Sequence, residues 1–163
     1  MTPCASANAD RNNQISCEAV ATITVSNLPG VITKVTIDLL NLSHGFPGDV
    51  DMLLVGPGGQ KFIIMSDVIG DANWVNNNIT LDDAAPTNLP AAPGAVASGS
   101  YKPTDYTAGD TFPGPAPAGP YQSPAAIGGA ALASVFNGTN PNDVWSLYGA
   151  LWITEFGTQK ISR

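Results

Sequence analysis

Six aspartates, Asp49, Asp51, Asp67, Asp71, Asp82 and Asp83, fall in turn-rich stretches or at strand ends. Carboxylate oxygens in such places are what Ca²⁺ takes, six to eight at a time. Their spacing matches no EF-hand loop. Asp49 and Asp51 stand at i and i+2, so an extended strand points both the same way. The pattern predicts a calcium site with Asp49 and Asp51 as one edge, and Asp82 or Asp83 with backbone carbonyls as the other. The competing role for the same residues is to close turns through Asx hydrogen bonds.

Catalysis finds less support. His44 is the one histidine, and Ser43 beside it is no dyad partner, because neighbouring strand residues face opposite ways. No G-x-S-x-G elbow surrounds Ser66 or any other serine. Asp82 and Asp83 are adjacent and diverge, unlike the opposed acids of a glycosidase. The chain reads as a non-enzyme, with a hydrolase as the remote alternative and His44 as a turn-fixing residue. Among Trp74, Trp145 and Trp152, the apolar alternation assigns Trp145 to the core. Trp74, set among asparagines, is the candidate exposed platform for a sugar ring. Asn41, Asn78 and Asn137 each begin a glycosylation sequon. Cys4 and Cys17 either close a short disulfide loop in an oxidising compartment or remain free thiols; two cysteines and one distant histidine make no zinc site.

The elements that must position these residues are strands. Residues 50–55 place Val50, Met52 and Leu54 on one side and Asp51, Leu53 and Val55 on the other. Gly56-Pro57-Gly58-Gly59 supplies a turn, and residues 61–65 return as the partner arm of a hairpin. Residues 22–26 and 31–42 alternate as further strands, with Val31, Thr33, Val35, Ile37 and Leu39 as the core face of the second. Residues 67–78 read as a polar excursion and 78–82 as a short strand. Residues 86–124, rich in Pro, Gly, Ala and Ser, exclude a helix. Tyr101, Tyr106, Phe112 and Tyr121 along them favour a long ordered loop wrapped over the sandwich rather than a disordered linker. Residues 125–134 allow one helical turn, and 144–148 and 151–154 read as late strands. With 17 Gly and 14 Pro in 163 residues, the composition predicts an all-β, jelly-roll-like antiparallel sandwich. A charged content of 12% and a net charge of −7 disfavour nucleic acid as a partner. No run of about 18 apolar residues predicts a membrane span. The first residues lack a basic start and apolar core, which suggests a domain whose export signal lies elsewhere or a truncated reading frame.

The run H-G-F-P-G-D-V-D-M-L-L-V-G-P-G-G-Q-K at residues 44–61 resembles the H-x-x-x-x-D-L/V-x-x-x-L-x-x-P-x-G-T/Q pattern of proprotein convertase P domains (P/Homo B domains). L-D-D-A-A at 81–85, S-Y-K-P-T-D-Y at 100–106, F-P-G-P-A-P-A-G-P-Y at 112–121 and V-F-N-G-T-N-P-N-D-V-W-S-L-Y at 135–148 are similar to the bacterial secreted branch of that family. The resemblance covers about residues 22–148, leaving 1–21 as a divergent arm. It also leaves 149–163 as a divergent tail, in place of the family's acidic turn and closing strand. It implies a galactose-binding-domain-like sandwich and an accessory role in a secreted or cell-surface protein, stabilising or docking onto a subtilisin-like protease or a neighbouring module. The alternative of another class is an adhesion or carbohydrate-binding module using Trp74 and the long loop. Residues 151–156 are expected to fill the strand position that the tail leaves vacant.

Overall fold

The computed structural model describes residues 7–9, 15–68, 73–91 and 96–153. Its organising element is the expected hairpin. Strand β4 (Val50–Val55) turns through residues 56–60 into β5 (Lys61–Ser66). Gly56 N–H donates to the Gln60 carbonyl at 2.9 Å, and Gly59 takes φ +80°, a conformation that glycine adopts without steric cost. Gly56 is needed for a second reason: a Cβ there would stand 2.8 Å from the Phe136 ring.

Around the hairpin lie β1 (Ala7–Ala9), β2 (Ile15–Val25), β3 (Ile37–His44), β6 (Trp74–Leu81), β7 (Gly99–Tyr101), β8 (Thr104–Asp105) and β9 (Asp143–Ile153). A 3₁₀ turn at Pro47–Asp49 and one short helix, α1 (Leu132–Phe136), complete the elements. The fold is all-β. One sheet has the order β1-β2-β9-β4-β5-β8 and the other β3-β6-β7, so the hairpin sits near the centre of the larger sheet. Leu39, Ile79 and Leu81 from one sheet meet Leu54, Phe62, Ile64 and Met65 from the other in the main core. The sheets are mixed rather than purely antiparallel. The pairs β5–β8 and β6–β7 are parallel, because β7 and β8 are delivered by the long loop rather than by tight turns.

That loop is ordered where it is described. Residues 107–121 form a strap across the outer face of the larger sheet. There Phe112, Tyr121 and Ala116 pack with Leu53, Ile63, Val55, Tyr148 and Ala150 in a second core. Phe112 and Tyr121 meet edge to face at 5.4 Å, and Tyr121 Oη donates to the Pro117 carbonyl at 2.9 Å. The central strands are therefore buried on both faces.

Several expectations shift. Residues 31–36 precede β3 instead of belonging to it, so Ile32 is buried and Val31 exposed, while Leu39 does face the core. The late strands are one: Leu151–Ile153 prolong β9, with Leu151 paired to Val50 and Cys17, instead of folding back into a separate position. Strands β2 and β9 both run across the expected boundaries at residues 21 and 148. A disulfide between Cys4 and Cys17 lies outside the described residues, as does Asp71.

Candidate functional site

The strap covers a row of carboxylates, and a β-bulge creates it. Along the hairpin Leu53 pairs with Ile63, but Met52 pairs with Met65, so β5 spends two residues where β4 spends one. Ile64 and Met65 both enter the main core, and the next residue, Ser66, is turned to the outer face beside Asp51. Ser66 Oγ lies 2.9 Å from Asp51 Oδ1 and 3.1 Å from Asp67 Oδ2. Strand β8 runs parallel to β5 with Asp105 opposite Ser66. Asp51, Ser66 and Asp105 thus occupy three neighbouring strands, and Asp110 reaches the same Ser66 hydroxyl from the strap.

One hydroxyl has one proton to give, yet three carboxylates are within its reach. The fourth, Asp105, is 0% exposed; its Oδ1 accepts from the Thr107 N–H at 3.2 Å, while its Oδ2 has no hydrogen-bond partner. Asp110 Oδ2 is buried and partnerless as well. Among the described residues no Lys or Arg nitrogen forms an ion pair with Asp67, Asp105 or Asp110; the Lys34–Asp82 pair belongs to another part of the fold. Burial therefore pushes the Asp110 carboxyl up to about 7, against its hydrogen bond with Ser66 and with the help of the Asp51, Asp105 and Asp67 charges. Burial also raises Asp105, opposed by hydrogen bonds with Ser123 and Thr107 and assisted by Asp67.

Asp49, on the 3₁₀ turn, stands at the margin of this group. Burial raises it, the His44 charge lowers it and Asp67 raises it. His44 ends β3, and its Nδ1 accepts the Phe46 N–H at 2.9 Å, which pins the turn that leads into β4. Its own pKa is lowered, first by burial, so the neutral ring is favoured.

The four predicted ligands do not come together. Asp82 and Asp83 follow the far end of β6, whose first residue, Trp74, pairs with His44. At about 3.3 Å per residue, that eight-residue strand separates them from the His44–Asp49 end by roughly 25 Å. Asp82 accepts from Lys34 Nζ at 2.7 Å and from the Ala84 N–H, and the Lys34 hydrogen bond holds its carboxyl below the ordinary range. Asp83 Oδ1 and Oδ2 accept the Leu132 and Ala133 N–H groups at 3.1 and 2.8 Å, closing the start of α1. These two are the turn and cap formers of the alternative reading. Asp49 and Asp51 do stand where strand β4 begins, but Asp49 lies near His44 and Asp67, and Asp51 shares the Ser66 hydroxyl with Asp67 and Asp110. Among the described residues no three His, Cys, Asp or Glu side chains are drawn together at metal-ligand spacing.

Trp74 is corrected outright: it is 2% exposed and part of the main core. Strand β6 begins at Trp74 instead of at residue 78. Irregularities in its pairing with β3, where Asn41 and Asn76 take φ +55° and +54°, change which residues face inward. Asp105 and Asp110 escaped sequence reasoning. The available signal was their position beside the aromatic anchors Tyr106 and Phe112, since an anchor that packs down carries its neighbours with it.

A second surface stands out. Beyond the β1 pairing at Ile15–Cys17, the outer edge of β2 has no strand partner among the described residues. Ile23 pairs with Trp145 of β9, which packs on the main core, yet Ile23 is 69% exposed. Val20 and Val144 are exposed nearby. Two surface grooves, one bordered by Gln60, Lys61 and Gln122 and the other by Lys34, Asp82 and Asp83, include neither His44 nor Ser66. Comparison with protein-family models, with curated proteins and with solved structures finds no match.

Proposed function

We propose that the chain is a non-catalytic accessory module of a secreted or cell-surface protein, which docks onto and stabilises a neighbouring module, a subtilisin-like protease domain in the first instance. The observation that carries this reading is the edge of β2 beyond Cys17, which has no strand partner among the described residues, with Ile23 exposed beside it. A strand edge offers a row of backbone donors and acceptors, and an uncovered apolar strip next to it favours capture of another chain. The P-domain-like motifs at residues 44–61 and 135–148 agree with it; the first contains β4 and the second the first half of β9, which pair in the larger sheet. The carbohydrate-binding alternative drew on Trp74, whose burial removes that support. A hydrolase would need His44 joined to a nucleophile; His44 instead holds a turn, and Ser66 is surrounded by carboxylates.

The reading is tested by sequencing the flanking reading frame and co-expressing this chain with the module it adjoins. A protease domain or an array of sandwich domains is expected there, with binding between the separately expressed parts and slower thermal inactivation of the partner. Ile23→Lys should weaken binding at least tenfold while leaving the fold intact. A partner whose affinity and heat resistance ignore both the module and Ile23→Lys defeats the proposal.

A further inference from the structure

We propose that the strap is a pH-operated latch: residues 107–121 lie closed on the larger sheet while the Asp110 carboxyl keeps its proton, and open as a unit when it ionises, baring Leu53, Ile63 and Ala150. The inference is independent of the docking role. It stands first on how the strap is fastened. At its start the Thr107 N–H donates to Asp105 Oδ1 at 3.2 Å, and just past its end the Gln122 N–H donates to the Lys61 carbonyl at 2.9 Å. Between these points no backbone hydrogen bond joins strap to sheet among the described residues. The Ala116 N–H and the Tyr121 hydroxyl are spent within the strap, on the Pro113 and Pro117 carbonyls, and Pro113, Pro115, Pro117 and Pro120 have no N–H to offer. The strap is held by the packing of Phe112, Ala116 and Tyr121, by the Lys61 ammonium on the Ala118 carbonyl and by Asp110 on Ser66. A segment fastened by side chains opens at a lower free energy than a strand inside a ladder.

The second ground is what Asp110 faces. The charges of Asp51 on β4, Asp67 after β5 and Asp105 on β8 all act on it, and its one hydrogen-bonding neighbour, Ser66, is shared with Asp51 and Asp67. Thr107 and Ser123 hydrogen-bond to Asp105, and Asp49 and His44 lie at the margin. The cation nearest along the strap, Lys61, sits at its other end, 5.8 Å from the centre of the Tyr121 ring. Protonated, Asp110 is a donor among acceptors; ionised, it is a further anion whose buried Oδ2 has no partner. Opening returns that charge to water. With the closed carboxyl near 7 and an exposed aspartate near 4, opening releases a proton between those values. There each pH unit raises the opening constant about tenfold, and above them it levels.

The experiment is hydrogen exchange of the full chain, read by mass spectrometry at pH 5, 6, 7 and 8, with each strap rate divided by that of a free peptide of residues 105–123 at the same pH. Protection of residues 107–121 is expected to lie at least about a hundredfold below that of β4 and β9 at every pH, the mark of a local opening. It should fall about a hundredfold between pH 5 and pH 7 and level by pH 8. Asp110→Asn, which cannot ionise, should lose most of that fall, and Asp110→Ala repeats the test if the amide packs badly. Asp82→Asn, in the remote pair with Lys34, should behave like the parent. Strap protection that is constant from pH 5 to pH 7 overturns the proposal. So does a strap that exchanges together with β4, or an undiminished fall in the Asp110 variants.

Discussion

Because burial lifts the Asp110 carboxyl to about 7, the folded chain retains a proton there over a range in which an ordinary aspartate, near 4, has lost it. A carboxyl raised on folding contributes stability that is fully present below the unfolded pKa and disappears as pH climbs through the folded one. The Tm should therefore decline from pH 5 to pH 8, contrary to the usual acid lability of proteins whose carboxylates are paired. Asp105 shifts in the same direction and adds to the slope. Asp110→Asn should flatten the profile and raise the Tm at pH 8; a calorimetric series at half-unit pH intervals checks it, and a parent profile that rises toward pH 8 contradicts the assignment. At this scale the sequence revealed that aspartates gather where β4 begins, since i and i+2 spacing is a local property. It could not reveal Asp105 and Asp110 as their companions. Their meeting depends on a one-residue bulge and on where a 15-residue strap, residues 107–121, lies down.

The strap is the element on which the site depends. Phe112 is 7% exposed against Leu53, Ile63 and Ala150, with the Tyr121 ring edge-on to it, and Asp110 stands two residues before it. Aromatic truncation at such a position loses both transfer free energy and cavity contacts. Phe112→Ala should cost about 3–5 kcal/mol in denaturant unfolding and should speed proteolytic cleavage within residues 107–121. A loss under about 1 kcal/mol, with cleavage unchanged, means that the strap is not held by this ring. The hairpin was legible because its alternation and its Gly-Pro-Gly-Gly turn are both local signals, and the regular aromatics correctly marked the loop as packed. Strands β7 and β8, three and two residues long, were not legible. Segments so short have no period to read and exist only because β6 and β5 offer edges to pair with.

For the whole molecule, composition was enough to indicate an all-β architecture, whereas the ends of the sandwich were set by pairings distant in sequence. Strand β2 continues from Val25 back to Ile15 because β9 runs alongside it for all eleven pairs of the register. The divergent sequence at residues 15–21 therefore joins the larger sheet without the alternation of an isolated strand. The segment expected to fill a vacant strand is instead the second half of β9. Gly149, Ala150 and Leu151 pair on one side with Met52, Asp51 and Val50, and on the other with Ala19, Glu18 and Cys17. Ala150 is 1% exposed in the second core and lies directly beside Asp51. Ending the chain after Tyr148 would therefore cut both sets of pairings, unpair the start of β4 and loosen the row that Asp51 begins. A buried strand end stripped of its ladder leaves backbone groups unsatisfied and creates a new edge next to exposed Val20 and Ile23. The truncated chain should lose its cooperative melt and aggregate in light scattering. A monomeric truncated chain that melts like the full one would mean that β4 and β2 hold their places without the second half of β9.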